Sequence, residues 1–284
     1  MKCFVSFVLI STICLSSLPA AAHDKVVVIP LNAMKKLHNV VTVSAKGGDF
    51  TDPVAAVQSI IGASAENPYL VVIGPGVYTS TQTLTMKPHV TIAGSGQGVT
   101  KLTGAISSDS YDSSSALVYG VDNAILHDLT VENTGGGKYA IALLNEGSSP
   151  VIQNVTATAS GGIDGNYGVF NASSSPKMTD VTATAIGGTY CYGVYNQDSS
   201  PTMTGVIATA TGTPFSLGVY NQDSSPIIRQ CILNGTTLGI WVTGAGTTRV
   251  IQSSITGGRY IASGTLTCVN SDNGVAAILS SSCN

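Results

Sequence analysis

Charge is scarce in this sequence. Charged side chains make up 10% of its 284 residues, against about 25% in an average domain, and no stretch gathers lysines or arginines. A nucleic-acid footprint needs such a stripe, so nucleic acid is not expected as a partner. Beyond residue 22 no apolar run is long enough to cross a bilayer as a helix. His38, His89 and His127 are scattered, with neither metal-ligand spacing nor a Ser or Cys partner motif. Zinc chemistry and a Ser-His or Cys-His nucleophile are therefore not expected. There is one tryptophan, Trp241. Almost nowhere do apolar residues recur at helical spacing.

The first 22 residues have the composition of an export signal. Lys2 precedes an apolar run from Phe4 to Leu18, and Ala20-Ala21-Ala22 gives a small-residue cleavage pattern. Ser11-Thr12-Ile13 before Cys14 is a poor lipoprotein signal, so a released protein starting near His23 is expected. Loss of Lys2 takes the net charge from −3 to about −4. Export permits disulfides among the four remaining cysteines, Cys191, Cys231, Cys268 and Cys283.

What fills the rest of the chain is a repeat. The turns Asn145–Pro150, Asn171–Pro176, Asn196–Pro201 and Asn221–Pro226 end on prolines 26, 25 and 25 residues apart. Between them lie short runs of period-2 alternation broken by Gly, Ser, Asn and Pro, the pattern of short strands and turns. A leucine-rich repeat lacks its leucine framework here, and propeller blades need about 40 residues. Coils of about 25 residues fit three strands each, stacked at about 4.8 Å. The expected fold is all-β: a single-stranded right-handed parallel β-helix. Stacking then sets like residues in columns. Three are assigned to the interior: Ile152, Met178, Met203, Ile228, Val250; Val155, Val181, Val206, Cys231, Ser253; and Leu143, Val169, Val194, Val219, Ile240. Ala157, Ala183 and Ala208 also point inward, and the asparagines 145, 171, 196 and 221 form a turn column suited to an amide ladder.

A solenoid needs caps. Asp52-Pro53 reads as a helix start, and Val54, Val57, Ile60 and Ile61 as an apolar stripe, so residues 53–63 are expected to form a capping helix. The expected layout is leader 1–22, lead segment 23–39, N-terminal cap and first coils 40–114, repeats 115–258 and C-terminal cap 259–284. Cys268 and Cys283, 15 residues apart in the Ser/Gly-rich tail, are expected to be bonded. Cys231 should be a buried free thiol and Cys191 a surface residue; a Cys191–Cys231 bridge is the less favoured alternative.

The segments Val41–Thr51 and Gly74–Tyr78, with Val90–Gly96, resemble the start of pectinesterase-like chains of the pectin-lyase-like superfamily, and the coils resemble that superfamily's β-helix repeats. For a pectinesterase the resemblance implies two catalytic aspartates helped by an arginine and glutamines. Here the Gly-x-Tyr-x-Glu element is broken at Ser80, and no Asp-Phe-Ile-Phe-Gly-like or Leu-Gly-Arg-Pro-Trp-like segment follows. Gln197-Asp198 superficially resembles the catalytic Gln-Asp, but Gln222-Asp223 repeats it one coil on. Asp198 and Asp223, one strand spacing apart, remain weak catalytic candidates. Such a pair either shares a proton or holds Ca²⁺, whereas plain turn hydrogen bonding needs neither. Arg229, Arg249 and Arg259 are isolated and assemble no lyase set. Outward threonines around Ala157 and Ala183 form rows that would suit ice, but the third row breaks at Ile207.

Beside the interior column at Val169 the next residues must point out. These are Leu144, Phe170, Tyr195, Tyr220 and Trp241. With glycines two places earlier and amides at Asn196 and Asn221, they are expected to form an open strip on which sugar rings stack. The expected function is thus an exported, non-catalytic β-helix binding a polysaccharide or cell-surface glycan, with no metal or other cofactor. A carbohydrate-active relative of the pectinesterases or pectate lyases is the alternative, and a structural or adhesive role the third.

Overall fold

The structure, a computed structural model, describes residues 39–212, 214–275 and 277–284. The expected leader, its cleavage point near Ala22 and His38 lie outside these residues. The described residues form a right-handed parallel β-solenoid of about seven turns. Each full coil contributes three strands, seen for example at Lys177–Thr179, Thr182–Ile186 and Tyr190–Gln197. The first two kinds of strand share one sheet, sixteen-stranded among the described residues; the third kind builds an eight-stranded sheet. Every pair of named strands is parallel and joins one coil to the next, for instance Met178 with Met203 and Val194 with Val219.

A single residue in the left-handed region bends the first strand into the second: Asp128, Asn154, Asp180, Gly205, Gln230 and Gln252 in successive coils. Short polar side chains tolerate that conformation best. All three interior columns are buried. So are Ala157, Ala183 and Ala208, because the second sheet approaches there through Gly168, Gly193 and Gly218. A Cβ added at Gly193 would lie 2.6 Å from the Gly218 carbonyl oxygen and 2.7 Å from the Thr209 amide nitrogen. The asparagine column forms a buried ladder: Asn145 donates to Asn171 (2.8 Å), Asn171 to Asn196 (2.8 Å), Asn196 to Asn221 (2.7 Å), and Asn221 to the Thr248 hydroxyl (3.1 Å).

The helix spans Pro53–Ser59, capped by the Asp52 carboxylate on the Val54 and Ala55 amides. It stops four residues short of the expected end. Ile60 turns extended into the core, the Lys87 ammonium takes the Gln58 and Ile60 carbonyls at 2.8 and 2.7 Å, and Ile61, expected in the stripe, is exposed. Lysine at a helix C-terminus satisfies the orphan carbonyls and opposes the dipole. The parallel ladder runs from Val40 past 258, through Arg259–Ile261 and on to Thr265–Val269. Cys268 continues the interior column after Val250, and its disulfide to Cys283 covers that end of the core.

Candidate functional site

The outer surface of the eight-stranded sheet is where side-chain chemistry concentrates. Alternation along Tyr167-Gly168-Val169-Phe170 would turn Tyr167 inward and Gly168 outward. The opposite occurs. The register passes directly from Tyr167–Tyr192 to Val169–Val194, and the glycine faces the Ala183–Thr184 backbone across the interior. Tyr167 and Tyr192 thereby join the outside layer, in a column with Ile141, Leu217 and Leu238. A second column runs Tyr119, Leu144, Phe170, Tyr195, Tyr220, Trp241 and Tyr260. A third holds Tyr139, Tyr190 and Phe215, with Gly165 between the first two. Tyr111 reaches over Tyr139 and Phe170 from the preceding loop. Twelve of the chain's seventeen aromatic residues thus gather outside one sheet.

The centre of this layer is packed. Phe170 stacks on Tyr195 (4.7 Å, 4°) and Tyr195 on Tyr220 (4.9 Å, 11°), so these rings spend their faces on each other. Phe170, Tyr167, Tyr192 and Tyr195 are buried, whereas Tyr220 and Trp241 are half-buried. Open ring surface lies around them, at Tyr111 and Tyr260 (each 51% exposed), Tyr190 (41%) and Phe215 (37%). Tyr190 and Phe215 stack at 5.3 Å, and no further ring follows Phe215 in its column. Burial, then the neighbouring phenols, hold Tyr167 well above the ordinary tyrosine pKa. Burial, then neighbouring charges including Asp198, does the same for Tyr195, whose hydroxyl donates to Gln222 Oε1 at 2.6 Å. The phenols of Tyr167 and Tyr195 are therefore neutral donors at physiological pH. Trp241 Nε1 is buried without a partner among the described residues.

No protein-family model matches the chain, and no curated protein matches it in sequence. Solved structures do match in shape. The pectin methylesterase of Aspergillus niger superposes with a TM-score of 0.59 at 15% identity, covering 84% of this chain and 86% of its own. PemA of Erwinia chrysanthemi gives 0.55 at 13%, with 84% and 90% covered, and the carrot enzyme 0.54 at 18%, with 83% of each. The chain has the pectin-lyase-like fold. At these identities the likeness is one of fold.

Within this pectin-lyase-like scaffold the expected site residues separate. Phe170, Tyr195, Tyr220 and Trp241 do share one outward column. The open strip beside them is not there, because the glycines face inward and Tyr167, Tyr192 and Leu217 fill it. Asn196 and Asn221 are fully buried, their amides committed to the ladder, and so cannot edge a ligand. Asp198 and Asp223 sit in left-handed turns and are exposed, with Asp223 Oδ1 accepting from the Ala245 amide at 2.8 Å. Asp223 thus ties its turn to the turn of the next coil. No three His, Cys, Asp or Glu side chains cluster as metal ligands among the described residues.

Cys191, expected at the surface, is buried between Ala185 and Ala210, its thiol on the Gly187 carbonyl. Both it and Cys231 are free. His127 is held by Asp128 at 2.6 Å, and Asn154 donates to the same carboxylate; the Asn154 bond first, then His127, holds Asp128 below its ordinary value. The threonine rows register as Thr158, Thr184 and Thr209, but exposed Ile207 and Ile232 interrupt the neighbouring column. Near the helix, a hollow lined by Thr51, Asp52, Val77 and Thr79 has one carboxylate, already used as the helix cap.

Proposed function

We propose that the protein is an exported, non-catalytic β-helix that binds a glycan along the outside of its eight-stranded sheet. The gathering of twelve aromatic residues on that one surface carries the reading. The packed centre supplies a rigid floor, and the sugar rings meet the accessible aromatics at its margins: Tyr190 and Phe215 on one side, Trp241 and Tyr260 at the end. Aromatic faces take the apolar side of a sugar while phenol hydroxyls bond its polar edge. Preorganisation keeps the ordering cost of binding low.

A carbohydrate-active enzyme is the second reading, favoured by the pectin methylesterases of the same shape. Acid-base chemistry on a glycan needs paired carboxylates. The strands of this sheet carry one carboxylate, Glu146, at the end of Tyr139–Glu146. The experiment is a glycan-binding screen on the mature protein beside assays of pectin de-esterification and cleavage. Binding lost in a folded Tyr190→Ser, Phe215→Ser variant, with no turnover, is the expected result. Turnover abolished by Asp198→Asn or Asp223→Asn would instead establish the enzyme.

A further inference from the structure

The charge around the aromatic layer is one-sided. Its border with the first sheet is a column of turns in which Asp122, Glu146, Asp198 and Asp223 stand exposed, with no lysine or arginine in those turns. Asp109, Asp112 and Asp164 lie on the opposite border. From the coil of Tyr119 to that of Tyr260, the layer and its borders hold seven carboxylates and two cations, Lys138 and Arg259; Lys138 already lies 3.9 Å from Asp109. Lys177 and Arg249 share one register position just beyond these turns, on the strands of the first sheet. The acids also reach the rings: Glu146 accepts from the Tyr119 hydroxyl at 3.4 Å, Asp223 pushes up the phenol of Tyr220 behind burial, and Asp198 adds to that of Tyr195 behind burial and three neighbouring phenols.

We propose that the glycan taken by this face carries protonated amines: a polymer of amino sugars rather than of uronic acids. The inference rests on the glycan-binding function above and names its ligand class. Sugar rings laid across the sheet from Tyr190 and Phe215 to Trp241 run from one border to the other: Tyr190 begins its strand beside Asp164, whose carbonyl takes its amide at 2.8 Å, and Trp241 packs on Tyr220, which feels the Asp223 carboxylate. An ammonium there is attracted and steered, whereas a uronate faces like charge. Pectin methylesterases are among the solved structures of this fold, yet this surface is electrostatically unsuited to a polyuronate.

The test is titration calorimetry of the full mature protein at about pH 6, where carboxylates are ionised and amines protonated. The ligands are the hexasaccharides of glucosamine, N-acetylglucosamine and galacturonic acid. The glucosamine hexamer should bind tightest, with affinity falling as salt rises. A Glu146→Gln, Asp198→Asn, Asp223→Asn variant, whose amides keep the turn geometry, should bind it about tenfold more weakly, three exposed charge pairs being lost. Galacturonate binding as tight or tighter, or a variant that binds glucosamine as well as the parent does, overturns the charge inference. The glycan-binding function survives either outcome if Tyr190→Ser, Phe215→Ser abolishes the binding seen. Binding of none of the three hexamers overturns both.

Discussion

Burying an asparagine amide is costly unless its donor and acceptor find partners. Asn196 accepts from Asn171 and donates to Asn221 in the interior corner of the coil. Asn196→Leu leaves the Asn171 donor and the Asn221 acceptor without these partners, and is expected to cost about 2–4 kcal/mol in denaturant unfolding. A cost below about 0.5 kcal/mol would mean that the ladder does not hold the coils together. The two free thiols make a second prediction. Burial pushes Cys191 and Cys231 each up to about 11. Iodoacetamide at about pH 8 should label neither in the folded protein, both after unfolding without reductant, and Cys268 and Cys283 as well after unfolding with reductant. Because an unfolded thiol ionises near pH 8.5, the stability these thiols contribute is present below that pH and lost as pH rises through about 11.

At the scale of the strand, the glycines at 168, 193 and 218 decide which residues face out. Gly193→Ala places a methyl group against the backbone of both sheets, and is expected to cost about 3 kcal/mol or more. Gly147→Ala meets nothing within 4 Å at a positive φ, and should cost about 1 kcal/mol. Equal costs in a melting comparison would contradict the close approach of the sheets. The same glycines show why the sequence was legible only in part. The 25-residue period and the three interior columns could be read because a stacked coil repeats its environment at every turn. Tyr167 and Tyr192 could not be assigned outward, because period-2 alternation carries no mark of where a strand breaks phase. A glycine at the same place in four coils, between two residues that alternation puts on one face, was the available signal. The asparagine column was legible as a ladder but not as a buried one, since its neighbours Gln197 and Asp198 are turn residues that would sit equally well in solvent. Cys191 looked exposed by analogy with Asn166 and Ser216 in its column, and those polar residues are buried too. The helix is shorter than its apolar spacing implies, because Ile60 and Ile61 continue that spacing where the backbone has already turned extended.

For the whole molecule, the groups that hold the coils together lie apart from the aromatic face. The interior columns, the ladder and the Cys268–Cys283 closure hold the coils, and the eight-stranded sheet's exterior is left to carry rings and acidic borders. Reduction of the disulfide, which closes a 15-residue loop, should lower stability by about 3 kcal/mol without changing the aromatic face. Hydroxyl-radical footprinting, read by mass spectrometry, tests the central claim most directly. The mature protein is oxidised alone and with whichever of the three hexasaccharides binds tightest. The account predicts that Tyr190, Phe215, Trp241 and Tyr260 become protected together, while Phe50 and Tyr69, which lie off this sheet, are unchanged. Protection elsewhere, with these four as reactive as in the free protein, would contradict it.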